Sequence, residues 1–467
     1  MKNVQDYLIQ YLTKYIVKNP VQNTKRIINT ATSLGFFKEH KPAMKAIFEK
    51  LEVPGDPWHG FIQNFNSELN LNTRKKFISN FLLKGGLFTR SLREKRRAAG
   101  LSSPFTVLMD PTTICNLKCL GCWANDYEKT DSLSYEVLDR IIREGKELGI
   151  YVYIYSGGEP LVRKKDIIKL CEEHDDCFFL AFTNGTLIND QFAKEVARVG
   201  NFAPAISIEG YEKDTDFRRG EGTYKKAVRG MKLMKKYGNL FGYSTAYHRL
   251  NTEVVGSDDF INSMHELGSR FGWYFTYMPV GSDAKPELIV TPDQRAYMYR
   301  RIREVRRTSS MFLMDFWNDG EFVGGCIAGG RNYLHINAAG DVEPCAFIHY
   351  SNVNIKDVSL AEALEQPIFK EYQKRQPFNH NDLRPCPCLD NPSELRDIVS
   401  CSAAASTQPN DSETVESLTA KCEEHAAGWA IMADDLINKK NGKNGKPRSK
   451  PVIHFKDVEE TVKETEV

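Results

Sequence analysis

Cys115-Asn116-Leu117-Lys118-Cys119-Leu120-Gly121-Cys122 sets three thiols within eight residues, and nothing else in the chain narrows its chemistry as far. A zinc site of this density brings a fourth Cys or His nearby, and none stands in the fifteen residues that follow. Iron–sulfur clusters are also held by Cys thiolates. Three ligands on a four-iron cluster leave one iron open to a small molecule, as a catalytic zinc keeps one free position. Disulfides explain the thiols poorly. The eleven cysteines are odd in number and tightly grouped, and no charged-then-apolar leader opens the chain, so secretion is not expected. Metal or redox chemistry is the default, with zinc-binding or simply buried cysteines as the alternative.

Composition excludes other classes. Lys and Arg total 63 against 61 for Asp and Glu, a formal charge of +2, and phosphate affinity needs a concentrated positive field. A nucleic-acid partner is not expected. No apolar run approaches the roughly twenty residues of a membrane span, so the protein is read as cytoplasmic. At 467 residues, one catalytic domain with smaller appendages is expected.

Residues 1–100 read as a helical cap. Val4, Leu8, Leu12, Tyr15 and Ile16 recur at helical spacing. The segment Arg74 to Arg97 mixes Phe and Leu with Arg90, Arg93, Lys95, Arg96 and Arg97, and Gly85-Gly86 is expected to interrupt it. It either caps the next domain or docks peripherally on the inner face of a membrane. From Phe105 strands alternate with helices: Phe105–Met109, Tyr151–Tyr155, Phe178–Thr183, Ala205–Ile208, Tyr243–Tyr247 and Tyr274–Met278. Six such units argue for an α/β fold with a parallel sheet, an open barrel or a doubly wound sheet. Ligands sit at the carboxyl ends of the strands in both. The expected divisions are a barrel over 101–320, a small Cys-rich hairpin module over 321–405, and a helix with a flexible tail over 406–467.

The cysteine motif after a first strand resembles the signature of the radical S-adenosylmethionine (SAM) superfamily. The resemblance implies a partial (β/α)6 TIM-like barrel in which Cys115, Cys119 and Cys122 bind a [4Fe–4S] cluster whose open iron takes SAM. Gly157-Gly158-Glu159 resembles the family's glycine-glycine-glutamate motif, with Glu159 accepting from the SAM ammonium. Thr183-Asn184, Ser207 with Glu209, and Arg219 match later strand-end motifs and are the implied SAM contacts. One position departs. The family usually has an aromatic residue before the third cysteine, where Gly121 stands; Trp123 is the nearest substitute. A small residue there also occurs in the branch resembling hopanoid-lipid adenosyl transferases.

Cys326, Gly340 and Cys345, then Cys386, Cys388 and Cys401, resemble the SPASM or twitch extension. One auxiliary [4Fe–4S] cluster is implied, on Cys326, Cys345, Cys386 and either Cys388 or Cys401; zinc is the alternative. Cys171, Cys177 and Cys422 read as ordinary buried thiols. The implied activity is reductive cleavage of SAM to a 5′-deoxyadenosyl radical that takes hydrogen from an unactivated carbon. An electron donor such as ferredoxin or flavodoxin is the expected partner. A lipid or other hydrophobic substrate is favoured, a peptide comes second, and a non-catalytic iron–sulfur electron carrier is the rival class.

Overall fold

The computed structural model describes residues 4–33, 49–51, 53–127, 129–409 and 413–441. Of the helix and tail expected over 406–467, the helix runs over Glu423–Asn441, and residues 442–467 lie outside the described ones. Its centre is a sheet of β1 (Thr106–Met109), β2 (Val152–Tyr155), β3 (Phe178–Thr183), β4 (Phe202–Ser207), β5 (Gly242–Tyr247), β6 (Phe271–Thr276), β7 (Phe312–Asp315), β8 (Tyr333–Ile336) and β9 (Val342–Glu343). The spatial order is β7-β6-β5-β4-β3-β2-β1-β8-β9. Neighbours from β7 through β8 run parallel, and β9 alone pairs antiparallel, on β8. Each parallel step needs a crossover, supplied by amphipathic helices such as Tyr135–Glu147. There Ser134 caps the Val137 amide and Leu138, Ile141 and Ile142 are buried, each contributing about 1.5–3 kcal/mol.

The mixed α/β class and the parallel sheet are as expected, but the sheet is larger. β7 extends one edge and β8 the other. The hairpin expected in a separate module is joined to the barrel, because β8 pairs with β1 from Thr106↔Tyr333 to Met109↔Ile336 while β9 pairs with β8. The two edges approach through Phe316 and Tyr333, whose ring centroids are 6.2 Å apart.

The N-terminal helices close the end of the barrel where the strands begin. Ile9, Ile16, Phe65, Ile78 and Leu83 form one cluster with Phe178, Ala203 and Leu240. Gly85 and Gly86 do not break the helix. A wide-turned π-helix spans Phe77–Phe88, and a Cβ at Gly85 would come within 3.0 Å of the Val152 side chain, so the missing side chain lets helix and sheet meet.

The same segment uses its basic residues internally. Arg93 is 6% exposed and donates to Thr89 Oγ1 (2.6 Å) and Gly149 O (3.2 Å). Arg97 donates to Ser103 O, Arg331 O and Asn332 Oδ1, and Arg96 to Ser102 O. Phe77 and Phe81 pack edge-on against Phe178. The segment is built as a cap. Among the described residues no helix is long and apolar enough to cross a membrane.

Candidate active site

Three strand ends hold the loop that carries Cys115, Cys119 and Cys122. After β2, Gly158 N donates to Thr112 O (3.0 Å) and Glu159 N to Ile114 O (2.9 Å). After β3, Asn184 Nδ2 donates to Asn116 Oδ1 (2.9 Å). Leu120 N donates to Arg218 O (2.7 Å), in the helix after β4. The glycines permit this. Gly157 has φ +96°, and a Cβ on Gly158 would lie 2.4 Å from the Thr113 and Ile114 carbonyl oxygens. The close approach they allow is therefore to the cysteine loop itself.

Glu159 is 1% exposed. Its carboxylate accepts from Leu161 N (2.9 Å) and Thr183 Oγ1 (2.6 Å) on Oε1, and from Asn184 N (2.7 Å) on Oε2. A carboxylate has about four lone-pair sites, so one on Oε2 is left for another donor. Burial raises its pKa against the pull of these hydrogen bonds. Thr183 thus orients Glu159. Ser207 faces Ser244 across β4 and β5, hydroxyl to hydroxyl at 3.1 Å.

Glu209 differs from the expectation that it contacts cofactor. It is fully buried and accepts from Arg218 Nη1 (2.7 Å), Arg219 Nε (2.8 Å) and Ala246 N (3.0 Å). Burial would raise its pKa, yet Arg219 and Arg218 hold it below the ordinary value. Its oxygens are engaged, and it stands behind the two arginines. Arg218 and Arg219 themselves line the cavity beside the cysteines.

The three thiols are half-buried and face one cavity of about 810 Å³ with Gly157, Gly158, Glu159, Thr183, Asn184, Ser207 and Arg219. Binding pockets usually span about 300–1,000 Å³. Burial pushes the Cys115 thiol to about 11 and raises Cys119, although Arg219 pulls it down. Such thiols give up their protons to a metal rather than to water. Three donors beside a cationic side chain, over a glycine cradle, fit a cluster with one open position.

Gly121 (φ +59°) has an unforeseen partner. A Cβ there would lie 2.3 Å from the Tyr277 hydroxyl, so Tyr277, arriving from β6, fills the missing side chain's place. Trp123 also lines the cavity, wedged between Tyr127, His335, Phe347 and His349. Below it a buried chain of charge ties the cysteine loop to the hairpin. His335 contacts Asp110 (3.0 Å) and Glu343 (2.6 Å), Tyr127 donates to Glu343, and Ser156 donates to Asp110 (2.6 Å). The sequence reading missed this group, because neither the spacing nor the motifs mark it.

Burial holds the Tyr372 hydroxyl well above the ordinary tyrosine range, with smaller contributions from Cys326, Cys345, Cys386 and Cys388. That hydroxyl is buried with no hydrogen-bond partner among the described residues. Four thiols are the donor set that a four-iron cluster takes. Burial raises Cys326 to about 11 and Cys345 to about 12, and Tyr333 donates to Cys345 Sγ (2.6 Å). Cys401 stands apart, exposed, with its Sγ 3.6 Å from Arg375 Nη2. Cys422, expected to have no partner, brings its Sγ to 3.9 Å from that of Cys388. Cys171 and Cys177 are buried in the hydrophobic core.

Residues 109–251 match the radical SAM superfamily, and residues 326–389 match the SPASM iron–sulfur cluster-binding domain. The chain is 24% identical to the AdoMet-dependent heme synthase of Oleidesulfovibrio alaskensis, over 55% of this chain and 73% of that one. It is 33% identical to the Fe-coproporphyrin III synthase of Methanosarcina barkeri over 32% of this chain and 38% of the relative. Streptococcus suis SuiB bound to precursor peptide SuiA shares the fold with TM-score 0.50 at 19% identity, over 72% of this chain and 78% of that one. The parallel sheet, the thiol loop at its carboxyl end and these matches agree: the chain belongs to the radical SAM superfamily, an enzyme family whose cofactors are a [4Fe–4S] cluster and SAM, and it carries a SPASM-type auxiliary iron–sulfur extension.

Proposed function

We propose that this enzyme takes a hydrogen atom from an unactivated carbon of a hydrophobic substrate lodged in the barrel. One observation carries the reading: the three thiols, the glycine cradle and an apolar lumen share a single cavity. Cys115, Cys119 and Cys122 hold the cluster, and the free lone pair of Glu159 receives the SAM ammonium. Arg219, anchored by Glu209, balances charge beside the thiolates. When bound, the cluster and SAM supply the 5′-deoxyadenosyl radical. The protein orients the substrate carbon and excludes water. Cys326, Cys345, Cys386 and Cys388 hold one auxiliary cluster, and a ferredoxin or flavodoxin supplies electrons.

A peptide substrate is suggested by SuiB, which binds a precursor peptide. The lumen argues against it here, since a peptide backbone needs hydrogen-bond partners and the wall is overwhelmingly apolar. Cys115, Cys119 and Cys122 changed together to Ala should lose about four of about eight irons and all 5′-deoxyadenosine formation. Continued 5′-deoxyadenosine formation by that variant would overturn the assignment.

A further inference from the structure

The inside of the barrel is hollow, and its shape has a cause in the sequence. Side chains normally fill the interior of eight-stranded barrels. Here the inward positions alternate along each strand, as the pleat requires, but two neighbouring strands carry almost no side-chain volume. Ala203 and Ser207 of β4 and Ser244 and Ala246 of β5 line the cavity. Rings from the two flanking strands reach over them: Phe182 of β3 meets Trp273 and Phe275 of β6 at 5.1 and 5.4 Å, and Phe275 packs on Phe316 at 5.4 Å. The small residues make room for those rings, and the lining of the cavity is completed by Leu108, Val152, Ile154 and Leu180. Its serines are already bonded to each other.

The channel does not stop at the thiols. The same cavity reaches Trp58, Phe61 and Phe65 of the cap helices, past the beginnings of the strands. The six residues of β3 span about 20 Å at ~3.3 Å each. One leaflet's hydrocarbon chain spans about 15 Å, half of a ~30 Å bilayer core. The cap end differs in charge. Arg74 and Arg270 both line the cavity there, Arg74 bonded to Asn66 and Arg270 paired with Glu68. Arg270 is 2% exposed, and the Nε of each arginine is buried without a hydrogen-bond partner among the described residues. Arg270 Nη1 also donates to Ser269 O (2.8 Å), and each guanidinium keeps its Nε–H for a ligand.

We infer that the lumen binds one long, linear hydrocarbon chain bearing an anionic head. The head lies at Arg74 and Arg270, and the far end of the chain lies beneath Cys115, Cys119 and Cys122. This rests on the reading of the lumen as the substrate site and adds the substrate's class and its direction. A flexible chain matches a narrow, dry channel, and a carboxylate or phosphate matches unsatisfied guanidinium donors.

The test is a chain-length series on the anaerobically reconstituted full chain, read by equilibrium dialysis. Hexadecanoate should bind one per protein, at least about tenfold more tightly than octanoate, because each buried methylene adds apolar area. Hexadecanol, of equal length but neutral, should bind less tightly, and Arg270→Gln should erase that difference. A monoacylglycerol phosphate with the same chain distinguishes a phospholipid source from a free acid by which of the two binds tighter. Ala203→Phe, at the cap end, should abolish binding of every chain. Ala246→Phe, at the thiol end, should weaken hexadecanoate while sparing octanoate. Equal affinity for the two acids would overturn the proposal, as would both Phe variants behaving like the parent. The length series on the unaltered protein stays decisive if a variant misfolds. Failure to bind chains while 5′-deoxyadenosine still forms removes this inference alone. Chain binding without 5′-deoxyadenosine formation removes the radical reading and leaves the channel assigned.

Discussion

Glu159 shows how one side chain joins two tasks. Three donors from the β2 and β3 ends fix its carboxylate, and one acceptor site remains. Glu159→Gln replaces an anion by an amide that cannot accept on both ends. SAM binding should weaken by about 1.5–3 kcal/mol, the worth of a hydrogen bond to a charged group, while iron content stays unchanged. Titration of SAM into the reduced protein measures this, and an unaltered affinity would relocate the ammonium site. The auxiliary thiols invite a second comparison. Cys388 lies buried beside Cys422 while Cys401 is exposed near Arg375. Cys388→Ser should cost the auxiliary cluster and Cys401→Ser should not, read as iron and sulfide per chain. The motif alone ranked these two thiols equally, because sequence spacing carries no burial.

At the scale of the element, the π-helix and the Arg90–Ala98 helix after it set the character of the N-terminal segment. Phe, Leu and Arg in alternation suit a membrane surface as well as a protein interior, so composition left both open. Packing separates them, since Phe77 and Phe81 meet Phe178 and Arg93 reaches Gly149 O. Burial lowers the Arg93 pKa to about 10, with Arg97 adding repulsion, as befits an internal strut. Arg93→Gln should therefore lower thermal stability by about 1–3 kcal/mol and leave co-sedimentation with anionic vesicles where it was. A loss of vesicle binding with an unchanged melting temperature would restore the membrane role. The exposed row Val4, Tyr7, Leu8 and Tyr11 on the first helix shows the limit of periodicity. The spacing marks a helix, and one runs over Val4–Lys18, but of the row it picked out Val4 and Leu8 are exposed, while Ile16 and the unmarked Ile9 face inward.

Across the whole molecule, His335 links barrel and hairpin through two carboxylates. Burial alone would lower its pKa, but Asp110 and Glu343 raise it from 6.5 to about 10. Glu343 is depressed in turn, His335 outweighing its burial. The folded pKa of His335 exceeds the unfolded one, so its contribution to stability is complete below pH 6.5 and is lost as pH rises through about 10. Melting temperature should fall across that window, and His335→Gln should flatten the fall while lowering stability below it. A variant with the parent's slope would place the alkaline loss elsewhere.

The sequence by itself determined the chemistry, the parallel α/β class and the positions of the thiols. Those rest on local relations: three cysteines in one loop, a glycine pair at a strand end, a period of two or of 3.6. The tertiary structure decided the rest. Tyr277 occupies the space beside Gly121, Glu209 turns to the arginines instead of the cavity, and β8 joins the barrel rather than a detached hairpin. Cys422 reaches Cys388 across 34 residues of chain, and the small residues of β4 and β5 line up only when the two strands pair, as they do at Ser207↔Ser244. Each depends on which side chains from distant segments fill the same volume. A channel is an absence shared among several strands, and no single stretch of sequence contains it.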